Sequence, residues 1–261
     1  MSRHPSDGAI PDPSMPHRSS TRAISLTESH VARVYREVPD PGPSDTHTPM
    51  TDDDKAELAQ RLLEENAGRP FWVFAYGSLI WKPAFEYDES RACILHGWHR
   101  SFCLHMQGWR ATPEEPGLML ALDKGGACKG VAFKMPEDDQ LSRMIRLIER
   151  EGAFREMIPW IRWVTLRANG ESFRGLVFYC TPPADRRHDG EGRLVRLPLD
   201  DQVHRLARAV GHAGSCAEYL FNTVSHLEEL GIHDSYMWKL QALVADEIDA
   251  VHGPEPRAAA E

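Results

Sequence analysis

Long apolar runs and paired cysteines are both missing from this sequence. No apolar stretch reaches the roughly 20 residues of a membrane-spanning helix, and the first residues lack the apolar core of a secretion signal. The five cysteines lie far apart, form no Cys-x-x-Cys pair and are odd in number, which argues against a disulfide framework or a zinc site. We therefore expect free thiols, a cytoplasmic location and no membrane partner.

Positive charge is also scarce. The chain has 30 Lys and Arg residues against 39 Asp and Glu, for a formal net charge of −9. A nucleic-acid partner is not expected, because no basic stripe is present to neutralise phosphates. With 261 residues, of which 41% are hydrophobic and 26% charged, the chain is long enough for one good core with appendages.

The first part of the chain has little that could form a core. Residues 1 to about 50 contain eight of the nineteen prolines and few large apolar residues, so burial cannot offset the entropy of ordering. We predict a mostly disordered extension whose deletion leaves stability and activity largely unchanged. The exception is residues 25–37, where Ser25-Leu26-Thr27-Glu28 has the pattern of a capping box and predicts a short helix able to dock on the domain.

The folded domain is expected at residues 51–252, followed by a flexible tail at 253–261. A helix capped by Thr51 and Asp54 begins it. Seven short apolar runs follow, separated by glycines, prolines and charged pairs, and they predict strands. These runs are Phe71–Ala75, Ala92–Leu95, Ser101–His105, Leu118–Leu122, Gly130–Lys134, Ile161–Arg167 and Phe173–Cys180.

Helical patterns lie between and after these strands. They are expected at about Glu137–Arg150, Leu199–Val210, Ser215–Leu230 and Asp234–Val251, with Ser215 and Glu218 as a capping box. The combination predicts an α+β fold, a small mixed β-barrel of about six to seven strands with peripheral helices.

The most informative stretch is Val73–Ile80, a strand-like run interrupted by Gly77-Ser78. Glycine weakens a strand interior, so its presence indicates that the backbone closely approaches another group. The N–H groups of Gly77, Ser78 and Leu79 would then form an anion-binding concavity. The alternative is a β-bulge without function. Ser78 lacks a Gly-x-Ser-x-Gly elbow and the stretch lacks the lysine of a phosphate-binding loop, so neither a serine nucleophile nor a nucleotide site is expected.

A candidate acid–base group lies at the end of the helix that interrupts the strands. Leu141, Met144 and Ile148 belong to its apolar stripe. At about 100° per residue, Glu151 falls roughly 60° from the centre of the stripe, while Arg150 faces solvent. Glu151 would lie at the margin of the core, where partial burial raises a carboxyl pKa. The alternative is a helix-end glutamate whose stem packs while its carboxylate stays in water.

Two further groups of residues are candidates for a site. His96 and His99 are spaced so that a strand places their rings on opposite faces, and no thiol or acidic cluster matches them, so no metal is expected. Near the start of a predicted helix, Phe221 has the pattern of a core residue, whereas Tyr219 or Asn222 is placed to reach a site.

Several ordered blocks of this sequence resemble the ChaC-like γ-glutamylcyclotransferases. The likeness covers residues 71 to about 250, essentially the whole folded part. The blocks are Phe74–Pro83, His96–Leu104, Pro116–Leu122, Gly130–Lys134 and Ala217–Thr223. The resemblance implies a small β-barrel with peripheral helices. It also implies cleavage of γ-glutamyl compounds, chiefly glutathione in this branch, to 5-oxoproline and the remaining peptide, here cysteinylglycine.

The resemblance also implies roles for particular residues. The Tyr76-Gly77-Ser78-Leu79 loop would hold the γ-glutamyl group through backbone N–H donors, and Glu151 would transfer the proton. We add Tyr219 as a substrate-binding candidate. The sequence departs from the family pattern at Gly152, where methionine is usual. No metal and no cofactor are expected, because the substrate carries its own nucleophile. Two alternatives remain, the same reaction on another γ-glutamyl amine or peptide, and a non-catalytic γ-glutamyl-binding regulatory protein.

Overall fold

The computed structural model describes residues 23–42, 47–182 and 192–253. The predictions of disorder for residues 1–22 and 43–46, and of a flexible tail after residue 253, lie outside the described residues. Within the described ranges, no helix has the length and apolar character needed to cross a membrane.

A closed β-barrel of five strands lies at the centre of the molecule. The strands are β1 (Phe71–Ala75), β2 (Glu89–Met106), β3 (Gly117–Met135), β4 (Arg162–Ala168) and β5 (Glu171–Val177). They follow one another around the barrel in the order β1-β3-β2-β4-β5. All neighbours are antiparallel except β1 and β5, which are parallel and close the barrel where Val73 faces Leu176. The predicted α+β class with a mixed barrel is confirmed.

The predicted count of six to seven strands is wrong, because two pairs of predicted strands are each one long strand. Ala92–Leu95 and Ser101–His105 both belong to β2, and Leu118–Leu122 and Gly130–Lys134 both belong to β3. Gly97, with φ of 83°, lies where the register of β2 against β3 shifts. At such a β-bulge the strand bends without leaving the sheet, so this glycine does not end a strand.

Seven α-helices surround the barrel in the described part of the chain. They are α1 (Glu28–Val34), α2 (Asp52–Asn66), α3 (Ser78–Trp81), α4 (Gln140–Glu151), α5 (Leu199–Arg208), α6 (Cys216–Glu229) and α7 (Ser235–His252). A 3-10 helix (Arg155–Trp160) and a short hairpin of β6 (Val210–Gly211) and β7 (Gly214–Ser215) complete the described elements.

The caps of three helices test the sequence patterns. Thr51 forms the predicted capping box of α2. Ser215 caps α6 through the Glu218 amide, but the second half of the predicted box is missing because the Glu218 carboxylate pairs with Arg110 instead. The predicted Ser25–Glu28 capping box is wrong, because α1 begins two residues later, with Thr27 as its cap and His30 completing the box.

The α1 helix packs against α6 and α7. Leu26, just before it, is fully buried, and its amide donates a hydrogen bond of 2.8 Å to the side-chain oxygen of Gln241. His30 and Arg33 approach Asp249 on α7 at 3.4 and 2.7 Å. These contacts attach the segment to α7 and to α6, the helix that carries Tyr219 of the site described below.

Because α1 and Leu26 are packed on the domain, the expectation that the whole extension can be deleted without loss of stability no longer holds. We predict that a variant lacking residues 1–48 is less stable than one lacking residues 1–22. Removing Leu26 loses about 1.5–3 kcal/mol of side-chain burial and leaves the Gln241 oxygen without its donor. The melting temperature should fall by about 3–12 °C in a domain of this size. Thermal unfolding of the two truncated proteins, compared with the full chain, measures the difference. Equal melting temperatures would show that α1 contributes nothing to the fold.

Candidate active site

Glu151 is the last residue of α4 and continues its buried face. Met144, Leu147 and Ile148 on that face are fully buried, and Glu151 is only 8% exposed. Burial raises the pKa of the Glu151 carboxyl, while the Arg150 guanidinium acts in the opposite direction. The alternative in which the carboxylate stays in water is therefore wrong.

The helical wheel predicts that Arg150 faces solvent, but in the structure its side chain turns towards Glu151 and α3. Its Nε lies 3.2 Å from Oε1 of Glu151. Its Nη1 donates to the carbonyl of Lys82, and its Nη2 lies 3.5 Å from the carbonyl of Ser78. A long side chain reaches beyond its own helix face, so Arg150 folds over the end of α4 and attaches it to α3.

The interrupted strand leads directly into this region. After β1, Gly77 caps the four-residue helix α3. A Cβ at Gly77 would lie 2.8 Å from the hydroxyl oxygen of Tyr219, so the close approach of Tyr219 explains the glycine. Ser78 also faces that hydroxyl with its amide and side chain. The side chain of Leu79 is buried in the hydrophobic core, so only its backbone is available to a ligand.

Three tyrosines share the environment of Glu151. Burial raises the pKa of Tyr76, Tyr179 and Tyr219, the last to about 12, and in each case the Glu151 charge adds to the rise. All three are therefore neutral hydroxyl groups at neutral pH. The Tyr76 hydroxyl donates to the carbonyls of Phe178 and Tyr179 at 3.1 and 3.3 Å, which fixes this tyrosine to the barrel wall.

Tyr179 is a residue that the sequence does not single out. The predicted strand to Cys180 ends at Val177, and Tyr179 has a φ of 54°. A bulky residue in this left-handed region is strained, and such strain tends to occur at functional sites. The strain accompanies the placement of the Tyr179 ring near Glu151.

The sequence-predicted residues Tyr76, Gly77, Ser78, Glu151 and Tyr219 thus come together at one place. The five cysteines are buried free thiols, as predicted. Among the described residues, no group of three or more His, Cys, Asp or Glu side chains is placed to hold a metal ion.

A protein family model matches most of this chain. The profile of the family described as ChaC-like protein matches residues 71–247. The chain belongs to the ChaC-like family. Its relatives include the glutathione-specific γ-glutamylcyclotransferase of Escherichia coli K12, which is 36% identical over 180 residues, or 69% of this chain and 74% of that protein.

A more distant relative and a solved structure extend the comparison. Human glutathione-specific γ-glutamylcyclotransferase 1 is 24% identical over 189 residues, or 71% of this chain and 82% of that protein. A crystal structure of the yeast γ-glutamyl cyclotransferase specific to glutathione aligns with a TM-score of 0.58 at 20% identity. This alignment covers 67% of our chain and 96% of the yeast chain, and it shows a shared fold.

The predicted departure from the family pattern lies at Gly152. This residue ends α4, and its amide donates to the Ile148 carbonyl at 2.7 Å. A Cβ added to Gly152 would make ordinary contacts of 3.6–3.8 Å with Ile148, Ile161 and Phe178. The position therefore has room for a small side chain beside the catalytic candidate.

We predict that Gly77→Ala lowers kcat/KM by at least about tenfold, equivalent to about 1.4 kcal/mol. The added methyl group requires Tyr219 or the loop to move, because it would lie 2.8 Å from the Tyr219 hydroxyl oxygen. Gly152→Ala is the matched control and should retain activity, since its methyl group fits without movement. Steady-state kinetics of both variants measure the effect. Equal activity of the two alanine variants would contradict the assigned role of the Gly77 approach.

Proposed function

We propose that this protein is a γ-glutamylcyclotransferase that converts glutathione to 5-oxoproline and cysteinylglycine. The observation that carries the proposal is the buried Glu151 carboxyl, with its raised pKa, near the Tyr219 hydroxyl, which in turn approaches the Gly77–Ser78 backbone. Membership of the ChaC-like family and relatives named as glutathione-specific enzymes support it. The buried free thiols fit a reducing compartment, so we infer a cytoplasmic location.

The reaction uses a nucleophile within the substrate. The α-amine of the γ-glutamyl group attacks the γ-carbonyl carbon and closes a five-membered lactam. The bond from that carbon to the cysteinyl nitrogen then breaks, and this nitrogen leaves as an amine after gaining a proton. Holding the two reacting groups of one molecule in the correct geometry is worth roughly 7–11 kcal/mol, so positioning supplies much of the catalysis.

Glu151 acts as the proton carrier in this scheme. The ordinary pKa values of an α-ammonium group and a glutamate, about 8 and about 4.3, are badly matched. Burial of Glu151 brings them closer, which makes it a better base. The same carboxyl then returns the proton to the departing cysteinyl amine. Arg150 opposes the rise in pKa, which favours the ionised form that must accept the first proton.

The loop after β1 holds the substrate. In the described chain, the amides of Gly77 and Leu79 have no hydrogen-bond acceptor, and Gly77 lies beside the Tyr219 hydroxyl. Such amides can bind the α-carboxylate of the γ-glutamyl group or the oxygen that gains negative charge during attack. Tyr219 faces the same space as a neutral hydroxyl, which can donate to either group.

A second candidate is the same reaction on another γ-glutamyl amine or peptide. Gly152 favours it, because the missing side chain leaves space near Phe178 and Ile161, next to Glu151. Turnover of other γ-glutamyl amines at a higher kcat/KM than glutathione would select this candidate. Binding of γ-glutamyl compounds with no release of 5-oxoproline from any of them would select the non-catalytic binding protein instead.

We predict that the protein releases 5-oxoproline from glutathione and that Glu151→Gln lowers the rate by about 10²–10⁴-fold, as expected for the loss of a general acid–base group. The amide nearly matches the carboxyl in shape but cannot accept the ammonium proton. Glu149→Gln is the control, since Glu149 lies on the same helix with a half-exposed side chain 3.2 Å from Lys55. An active Glu151→Gln, or an inactive Glu149→Gln, would contradict the assignment.

We predict that kcat/KM falls on the acid side as pH drops through the raised pKa of Glu151, because the base must be ionised. In Arg150→Gln this fall should begin at a higher pH, since the charge that lowers the Glu151 pKa is removed. Arg146→Gln, an exposed arginine one turn earlier on α4, should leave the profile unmoved. An acid limb that shifts downward in Arg150→Gln would have the wrong sign for this account.

A further inference from the structure

Arg100 is a buried cation with three separate acceptors. It lies on β2, and its side chain is 1% exposed. Its Nε donates to the Tyr76 carbonyl at 2.6 Å, and its Nη1 donates to Oδ2 of Asp234 at 3.0 Å. Its Nη2 donates to the carbonyl of Lys129. A buried guanidinium needs such partners to offset its lost hydration.

The acceptors lie on three different parts of the fold. Lys129 belongs to β3, and Tyr76 follows the end of β1. Asp234 caps α7, and its Oδ1 accepts hydrogen bonds of 3.2 Å from the amides of Tyr236 and Met237. Arg100 therefore joins two barrel strands and a peripheral helix at the point where the substrate loop begins.

The bond to the Tyr76 carbonyl has a geometric consequence for the next residue. This carbonyl and the Gly77 N–H belong to the same trans peptide unit. The unit is planar, so its C=O and N–H bonds point in opposite directions. Holding the carbonyl towards β2 directs the Gly77 N–H away from Arg100. Within the described residues this N–H has no acceptor, although the Gly77 carbonyl is bonded by the Ile80 amide at 2.9 Å.

We propose that Arg100 is a positioning residue that sets the orientation of the Tyr76–Gly77 peptide, so that the Gly77 N–H is presented to the substrate. The effect of this orientation on catalysis rests on the proposed function. A peptide with a flexible loop on one side can rotate, which would turn the N–H away and present a carbonyl oxygen to an anionic group. A charge-assisted hydrogen bond from a buried guanidinium opposes this rotation before substrate arrives.

Arginine suits this position because its fixed planar fork reaches several acceptors at once. A lysine retains the charge and can pair with Asp234, but its single nitrogen does not span all three acceptors. We expect Arg100→Lys to lower kcat/KM at least about tenfold, by analogy with the loss of one preorganised donor. The Tyr76 carbonyl then loses its partner while the buried charge remains paired.

Asp234→Asn provides the matched control for stability. It breaks the same buried ion pair but leaves the Arg100–Tyr76 hydrogen bond in place, and asparagine retains the capping function at α7. We expect Asp234→Asn to reduce the melting temperature at least as much as Arg100→Lys, with kcat/KM within about threefold of wild type. Activity losses that simply follow the melting temperatures of the two variants would overturn the positioning role.

A double variant keeps the test valid if Arg100→Lys does not fold. Arg100→Met combined with Asp234→Asn removes both buried charges, so neither is left unpaired. We expect it to be folded and at least about tenfold impaired in kcat/KM. A folded double variant with wild-type kcat/KM would overturn the proposal.

Glycine-selective ¹⁵N labelling reports the peptide orientation without any turnover. The Gly77 resonance is assigned as the peak that is lost in Gly77→Ala. We expect its ¹H and ¹⁵N shifts to change in Arg100→Lys and in the double variant, and to stay close to wild type in Asp234→Asn. An unchanged Gly77 resonance in the Arg100 variants would refute the orientation.

If wild type released no 5-oxoproline from glutathione or other γ-glutamyl amines, the proposed function would fail. The NMR measurement would still decide the role of Arg100 in the loop.

Discussion

The desolvation of one carboxyl group is the constraint on which the rest of the site depends. Glu151 ends α4 on its buried face and is only 8% exposed. Burial raises its pKa, and the negative end of the α4 dipole acts in the same direction. Arg150 provides the opposing charge at 3.2 Å. In the proposed mechanism, the balance between these effects lets the carboxyl accept a proton from the substrate amine and later give it back.

The loop that we propose to bind the substrate contains Gly77 and connects β1 to the very short helix α3. Its backbone is held at both ends by arginines. Arg100 donates to the carbonyl of Tyr76, and Arg150 donates to that of Lys82. A functional loop fixed in this way by a rigid scaffold presents its amides with little reorganisation.

Local patterns predicted the parts of the structure that have local causes. The Thr51 cap follows from neighbouring residues, and the approach of Glu151 to the core follows from helical periodicity. The glycine at position 77 indicated a close approach of the backbone, and the structure identifies Tyr219 as the group approached. The family resemblance joined these separate features into one site.

Features with distant causes could not be predicted in this way. The partners of Arg100 are 24, 29 and 134 residues away in sequence, so no local pattern indicates them. Arg150 folds over its helix end because α3 offers carbonyl acceptors, which a helical wheel does not include. The left-handed backbone of Tyr179 is not favoured by any local sequence pattern, and the continuity of β2 through Gly97 depends on its pairing with β3.

The most direct test of this account is the pKa of Glu151 in the folded protein. Glutamate labelled with ¹³C at its carboxyl carbon can be titrated by NMR, and the Glu151 signal is identified by its absence in Glu151→Gln. We predict a Glu151 pKa above the ordinary value of about 4.3, rising further in Arg150→Gln. A Glu151 pKa at or below the ordinary value would contradict the claim that burial prepares this carboxyl to carry the proton.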